Sequence, residues 1–273
     1  MVTRRSPSLP VFAGVAAGLW AGPAGAFTDE HPQTDTSAST LDAAEFRLGL
    51  GRFEAGITDS VLLGTKPLAW LLKVKNLGVK WRFYDEGRHA VSVGVELYWF
   101  NARDFDEDNA DVTFYCFPLR ATYTFRQSAS LRWHAGLAYT AIGTRGGNDG
   151  DSEVEIEGVG VVETAVFNPV LEWAVSQKWA LLVDASTALF QRASANADQE
   201  KQLDAYTTLT LHQDADANLK SGFLGWISGG FLYSREVFNL RFLVGYGHYP
   251  VPVVNFFVPE PIPMVDFDLW WRF

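Results

Sequence analysis

From about residue 44 to the C-terminus, apolar and polar residues alternate with a period of two, the signature of strands with two unlike faces. In Leu77–Tyr84, one face carries Leu77, Val79, Trp81 and Phe83, and the other Gly78, Lys80, Arg82 and Tyr84. Val91–Phe100 repeats the pattern with Val91, Val93, Val95, Leu97 and Trp99 against Ser92, Gly94, Glu96 and Tyr98. Leu131–Tyr139 and Trp179–Leu189 follow suit. Several runs reach the ~10 residues that a tilted strand needs to cross a bilayer. Twelve segments qualify as strands, beginning near residues 44, 58, 76, 88, 110, 129, 158, 178, 203, 220, 237 and 262.

Alternation alone also suits a soluble sandwich or a lipocalin-like barrel, in which the apolar face points inward. Here the polar face carries Glu54, Lys80, Arg82, Glu96, Arg120, Arg132, His134, Glu172, Asp184, Arg241, Asp266 and Asp268, with Gly and Ser between them. That mixture predicts a crowded, ion-paired lumen. The apolar face places Trp81, Phe83, Tyr123, Phe125, Trp133, Trp173 and Trp179 near strand ends, where membrane-interface girdles belong. The last strand puts Val265, Phe267, Leu269, Trp271 and the terminal Phe273 on one face, and Asp266, Asp268, Trp270 and Arg272 on the other. This resembles the C-terminal insertion signal of bacterial outer-membrane β-barrels, and the whole chain after its leader resembles that class. The resemblance implies an all-β, antiparallel up-and-down barrel of ten to twelve strands over residues 44–273, in the outer membrane of a Gram-negative bacterium. It also implies contact with outer-membrane lipid and lipopolysaccharide, and handling by the barrel-assembly machinery. The class is porin-like in architecture and specifies no function.

The N-terminus fits that destination. Arg4 and Arg5 precede a short apolar stretch, Val11–Trp20, and Ala24-x-Ala26 offers a cleavage site, so residues 1–26 read as a signal peptide. Residues 27–43 are polar and acidic without a period, and read as a flexible lead-in. Of the 22 basic residues two lie in the leader, leaving 20 against 32 acidic ones and a net charge of −12. Such a balance argues against nucleic acid as a partner and is compatible with divalent cations. Cys116 is alone, so no intrachain disulfide forms.

Loop lengths suggest an orientation. Short turns at Asp85–Gly87, Arg126–Ser128, Ser176–Lys178 and Ser234–Glu236 read as periplasmic, leaving Asn101–Asp111, Thr144–Gly158, Ala193–Lys220 and Pro250–Pro263 as outer loops. Tyr206–His212 then belongs to an outer loop or extends a strand, and the first two segments need a different pairing.

Candidate chemistry is sparse. Asp104-Phe-Asp106-Glu-Asp108 begins like a calcium loop but has Asn109 at the sixth position and Tyr115 at the twelfth. Gly146–Asp151 matches a single turn of a calcium-binding repeat, which cannot stack alone. Both loops are candidate divalent-cation sites by carboxylate density only. A hydrolase would need a nucleophile beside a base; His134, Asp184 and Ser186 share the polar face, but at different heights, and no Gly-x-Ser-x-Gly elbow is present. Cys116 has no evident base. No cofactor motif appears. The expected function is a narrow or plugged passive-channel barrel with a charged lumen. An adhesion barrel acting through acidic loops is the alternative, a membrane hydrolase the third reading.

Overall fold

The computed structural model describes residues 33–101, 111–147, 154–204, 207–218, 225–235, 237–248 and 260–273. The expected signal peptide, residues 27–32 and the acidic segments Asp104–Asp108 and Asn148–Asp151 lie outside these. The strands are β1 (Phe46–Gly49), β2 (Phe53–Thr58), β3 (Val61–Thr65), β4 (Lys75–Glu86), β5 (His89–Asn101), β6 (Asp111–Arg126), β7 (Leu131–Gly147), β8 (Val154–Ala174), β9 (Trp179–Asp204), β10 (Thr207–Asn218), β11 (Gly225–Arg235), β12 (Phe238–Gly247) and β13 (Ile262–Arg272). One short helix, α1 (Pro67–Leu71), joins β3 to β4.

All pairings are antiparallel, and the ring closes. β13 pairs with β1 (Leu48 opposite Trp271), and the lower part of β9 pairs with β11 (Val183 opposite Gly229). β10 instead pairs with the upper part of β9 (Ala195 opposite Ala215). The barrel therefore has twelve strands, with β10 standing above β11 beside the same neighbour. Each of those twelve strands is paired on both sides over at least part of its length, as backbone groups in lipid require.

Burial runs opposite to that of a soluble protein. Outward residues such as Leu77, Trp81 and Phe83 on β4, Phe117 and Leu119 on β6, Leu181 and Val183 on β9, and Val265 and Phe267 on β13 are exposed. Inward residues such as Ser92, Thr122, Thr124, Glu172, Ser228, Asn239 and Asp268 are buried. An apolar belt of this extent is stable only against lipid. Aromatic rings cluster at the margin with the short turns: Trp179 packs on Phe231 and Tyr233 (centroids 5.3 and 4.8 Å), and Phe238 meets Trp271 at 5.8 Å.

Four features differ from the sequence pattern. The segment beginning near residue 44 is broken at Leu50–Arg52 into β1 and β2, and β3 follows after a turn at Asp59–Ser60. The extra short strand supplies the even count, with Phe46 and Phe273 meeting at one end. The long outer loops expected at Thr144–Gly158 and Ala193–Lys220 are largely strand: β7 runs to Gly147, β8 begins at Val154, and β9 and β10 form a tall hairpin. Residues 66–74, with α1, are a connection that alternation alone did not reveal. Pro67 fits the first helical turn, where its missing N–H costs nothing.

The fourth difference matters most for function. Residues 33–43, read as a flexible lead-in, enter the barrel. Gln33, Thr34, Ser37, Ala38, Thr40 and Leu41 are all buried. Glycine permits the path: a Cβ on Gly56 would stand 1.9 Å from the Asp42 carbonyl oxygen, and the Gly56 N–H donates to the Glu45 carbonyl.

Candidate functional site: a plugged lumen

The inserted segment is short and irregular, so its backbone polar groups need partners from the wall. Lys80 on β4 supplies three, its Nζ donating to the carbonyls of Thr34, Ser37 and Ser39 at 2.6, 2.7 and 2.8 Å. Arg120 on β6 donates to the Asp35 carbonyl at 2.7 Å. The Ala38 N–H donates to Thr124 Oγ1 at 2.8 Å. Side chains complete the attachment: Gln33 Nε2 donates to Glu172 at 3.0 Å, Thr34 Oγ1 to Glu54 at 2.5 Å, and Arg241 pairs with the Asp35 carboxylate. Burial alone would raise the Asp35 carboxyl, but Arg241, with Arg47 and Arg52 farther off, holds it well below the usual carboxylate range.

The predicted lumen residues fall into several clusters. Glu54 lies 3.3 Å from Arg47, which also reaches Asp268 at 2.6 Å. Glu96 forms an ion pair with Arg52 at 3.2 Å and accepts from Lys66 at 2.7 Å. Arg241 bridges Asp35 to Asp266, the latter at 3.1 Å, and Arg132 stands 3.7 Å from Glu172. Asp184 accepts from Asn168 at 2.6 Å. Arg82 sits at the rim with Asp85 at 3.0 Å and the Asp59 carbonyl at 2.8 Å. Among the described residues, Lys80 and Arg120 do not form the wall-to-wall ion pairs that charge counting suggested; their donors hold plug carbonyls.

Sequence reasoning missed Asp35, Arg47, Arg52 and Lys66. Arg47 does alternate with Phe46 and Leu48, so its inward direction was available. Arg52 and Lys66 sit in connections, where no period marks a face. Burial and the nearby Arg52 charge push the Lys66 amine below its usual range, against the pull of Glu96.

The sequence sets His134 beside Asp184 and Ser186 as candidates for hydrolysis and counts Glu172 among the lumen charges. His134 Nδ1 lies 2.9 Å from Thr124 Oγ1, and Nε2 lies 3.3 Å from Glu172. The three side chains thus have a nucleophile–base–acid sequence. All three are buried beneath the plug, and Thr124 Oγ1 accepts the Ala38 N–H. Ser186 lies on another strand, beside Trp226 in register, and takes no part.

Above the plug, one sector of the lumen is open. A cavity of about 1110 Å³ spans the inner faces of β2 to β9. Phe100, Phe114, Pro118, Ile142 and Val162 give it apolar walls, and Arg52, Lys66 and Glu96 form a compensated charged flank. Gly64 and Gly78 help keep it open: a Cβ at either would press on the side chain of Glu54 or Glu96 at 3.1 Å. The opposite sector, β9 to β13, is filled by Leu182, Leu232, Leu243 and Trp270. Cys116 lines the cavity as a free thiol.

A closed antiparallel ring with an apolar exterior and a polar interior defines an outer-membrane β-barrel protein. No known family model matches the chain, and no curated protein resembles it in sequence. Among solved structures, it is similar to the toluene transporters TodX of Pseudomonas putida (9% identity, TM-score 0.32, covering 84% of this chain and 77% of that one) and TbuX of Ralstonia pickettii (8%, 0.32, 85% and 90%). CdiB from Acinetobacter baumannii matches at 7% identity and a TM-score of 0.29 over 84% of this chain, which spans 60% of the length of CdiB. Likenesses this distant say nothing of activity.

Proposed function

We propose that the protein resides in the bacterial outer membrane as a plugged passive-uptake barrel for small, largely apolar molecules. The observation that supports this is the cavity of about 1110 Å³ above a plug anchored by Lys80, Arg120 and Arg241. Pockets of about this size bury most of a small ligand, with apolar walls for affinity and a few polar groups for orientation. The plug fills the ion path, so little conductance is expected.

Two measurements test the reading together. In planar bilayers the full chain should give no large ohmic steps. An apolar fluorophore, N-phenyl-1-naphthylamine, should bind the purified protein saturably, and Ile142→Trp should weaken that binding by filling the cavity. Stable large steps, or binding that never saturates, would refute it.

A second reading draws on the tall β9–β10 hairpin, which rises beyond the part of β9 that pairs with β11. Such a projection suits surface adhesion. Shortening it between residues 196 and 216 should then abolish a binding phenotype without affecting membrane insertion.

A further inference from the structure

The barrel wall is uneven in height. β1 rises four residues from the periplasmic seam and turns at Leu50–Arg52; β2 descends from Phe53, and β3 stops at Thr65. At ~3.3 Å per residue along a tilted strand, four residues climb only about 10 Å, less than half of an apolar belt ~25 Å tall. The flanking strands go on. On its β1 side, β13 makes its last strand hydrogen bond at Leu269, to the Leu50 N–H, and Gly51 N–H reaches the Asp268 side chain at 3.3 Å. Above that, β13 continues to Ile262 paired to β12 alone. On β4 the ladder to β3 ends at Gly78, opposite Gly64; Thr65 and Lys66 still bond Asn76, and Lys75 beyond it pairs to β5 alone.

The outer half of the wall is therefore notched across three strand positions. At ~4.8 Å per strand, roughly 19 Å separates β13 from β4 there. Among the described residues, the stretch carrying α1 is what stands in the gap. The bonds at Phe46–Phe273 and Leu50–Leu269 fix the parity of β13, so the backbone groups of Val265 and Phe267 point into the notch. Pro263 follows in the same parity and has no N–H to leave unpaired, as suits an edge.

The notch joins the cavity to the membrane face. Its sill residues Arg52, Thr65, Lys66, Val74 and Asn76 also line the cavity. On the outside, Leu68, Trp70, Leu71 and Leu72 are exposed, a cluster suited to the acyl layer and its margin. Arg52 and Lys66 at the inner side are compensated by Glu54 and Glu96, so no bare charge bars an apolar molecule.

We propose that this notch is a lateral portal through which small apolar molecules dissolved in the outer leaflet pass into the luminal cavity. The proposal rests on the reading of the cavity as a solute site. An apolar molecule already in lipid loses little by moving to an apolar cavity, whereas a path through the aqueous mouth would first return it to water. Open backbone edges at membrane depth are tolerated where they line a cavity.

Cys116, the single cysteine of the chain, reports on both routes from inside the cavity. In proteoliposomes, its modification rates with a lipid-partitioning maleimide and with a membrane-impermeant sulfonated maleimide should be compared. Two variants narrow the portal: an insertion lengthening β1 and β2 by two residues each at Leu50–Arg52, and Leu68→Trp, which adds bulk to the exposed side of the stretch that stands in the gap. Heat-modifiable migration on a gel checks that each still forms a barrel. The lipid-partitioning reagent should react several-fold more slowly in either folded variant, with the impermeant reagent unchanged. If probe binding saturates but the lipid-partitioning rate is unmoved, or if both rates fall together, the portal is wrong and the solute site stands. If neither reagent reaches Cys116 and no probe binds, both readings fall.

Discussion

The ammonium of Lys80 lies 2.6 Å from the carbonyl oxygen of Thr34, joining a strand of the barrel wall to the segment that blocks its interior. The same nitrogen serves Ser37 and Ser39, so one side chain satisfies three carbonyls that the irregular plug cannot pair within itself. Lys80→Met should leave these acceptors unsatisfied and weaken plug docking by about 1–3 kcal/mol. Hydrogen exchange over residues 33–41 should accelerate, and brief conductance events should appear in planar bilayers, while the barrel keeps its heat-modifiable migration. An unchanged exchange rate would show that Lys80 does not hold the plug.

The Asp35–Arg241 pair makes plug docking sensitive to acid. The folded-state pKa of Asp35 is lowered, so its contribution is fully present above the unfolded value of ~3.9 and is lost as pH falls through the lower folded value. Exchange over residues 33–41 should therefore stay slow at neutral pH and rise below about pH 4. Asp35→Asn should exchange faster at neutral pH and lose much of that acid dependence. A wild-type profile flat down to pH 2 would contradict the assignment.

Gly56 carries a steric prediction. A Cβ there would collide with the Asp42 carbonyl oxygen, a backbone atom with nowhere to swing. Gly56→Val should cost about 1–3 kcal/mol or more, read as a lower midpoint of the heat-modifiable transition and faster exchange near residues 41–45. Gly87→Ala sets a contrast: a Cβ there meets nothing within 4 Å, and its penalty comes from a φ of +56° alone.

His134 ties Thr124 to Glu172 beneath the plug. Replacing it by Ala should leave two buried polar groups short of partners and lower stability by about 1–3 kcal/mol. The variant should show the same lipid or peptide hydrolysis as the wild type. A selective loss of hydrolysis with stability intact would revive the catalytic reading.

Phe273 closes the seam, its backbone N–H and C=O exchanging hydrogen bonds with Phe46. Removing Phe273 deletes that pair and the exposed terminal ring together. Assembled, heat-modifiable protein in the membrane fraction should fall sharply, and Phe273→Tyr should restore most of it.

The long strands were legible because two solvents act on them. On β4 to β7 and on β13, lipid selects one face and the packed lumen the other, so Trp81 and Lys80, or Phe267 and Asp268, declare their directions in the sequence. β1 to β3 were harder to see. Leu48 and Leu50 keep the alternation going through a turn, and four to six residues give a period too little length to register. The plug was invisible for another reason. Residues 33–41 have no periodic face, and their partners Glu172 and Arg241 lie 139 and 206 or more positions along the chain. Polar composition without a period reads as a free tail unless the wall that receives it is known.

Arg47 sits where three parts of the chain meet. From β1 it touches Thr34 of the plug at 2.5 Å, Asp268 of the final strand at 2.6 Å, and the face of Trp270 at 4.2 Å. The plug runs directly into β1, and Arg47 and Asp268 lie 221 positions apart, so this junction forms only when segments distant in the sequence come together. Blocking the interior and sealing the ring are thus coupled in time. A nascent barrel that zipped shut with its N-terminal segment outside would leave Arg47 buried without Thr34, Arg241 without Asp35, and Lys80 facing an empty interior, an intermediate poorly suited to persist.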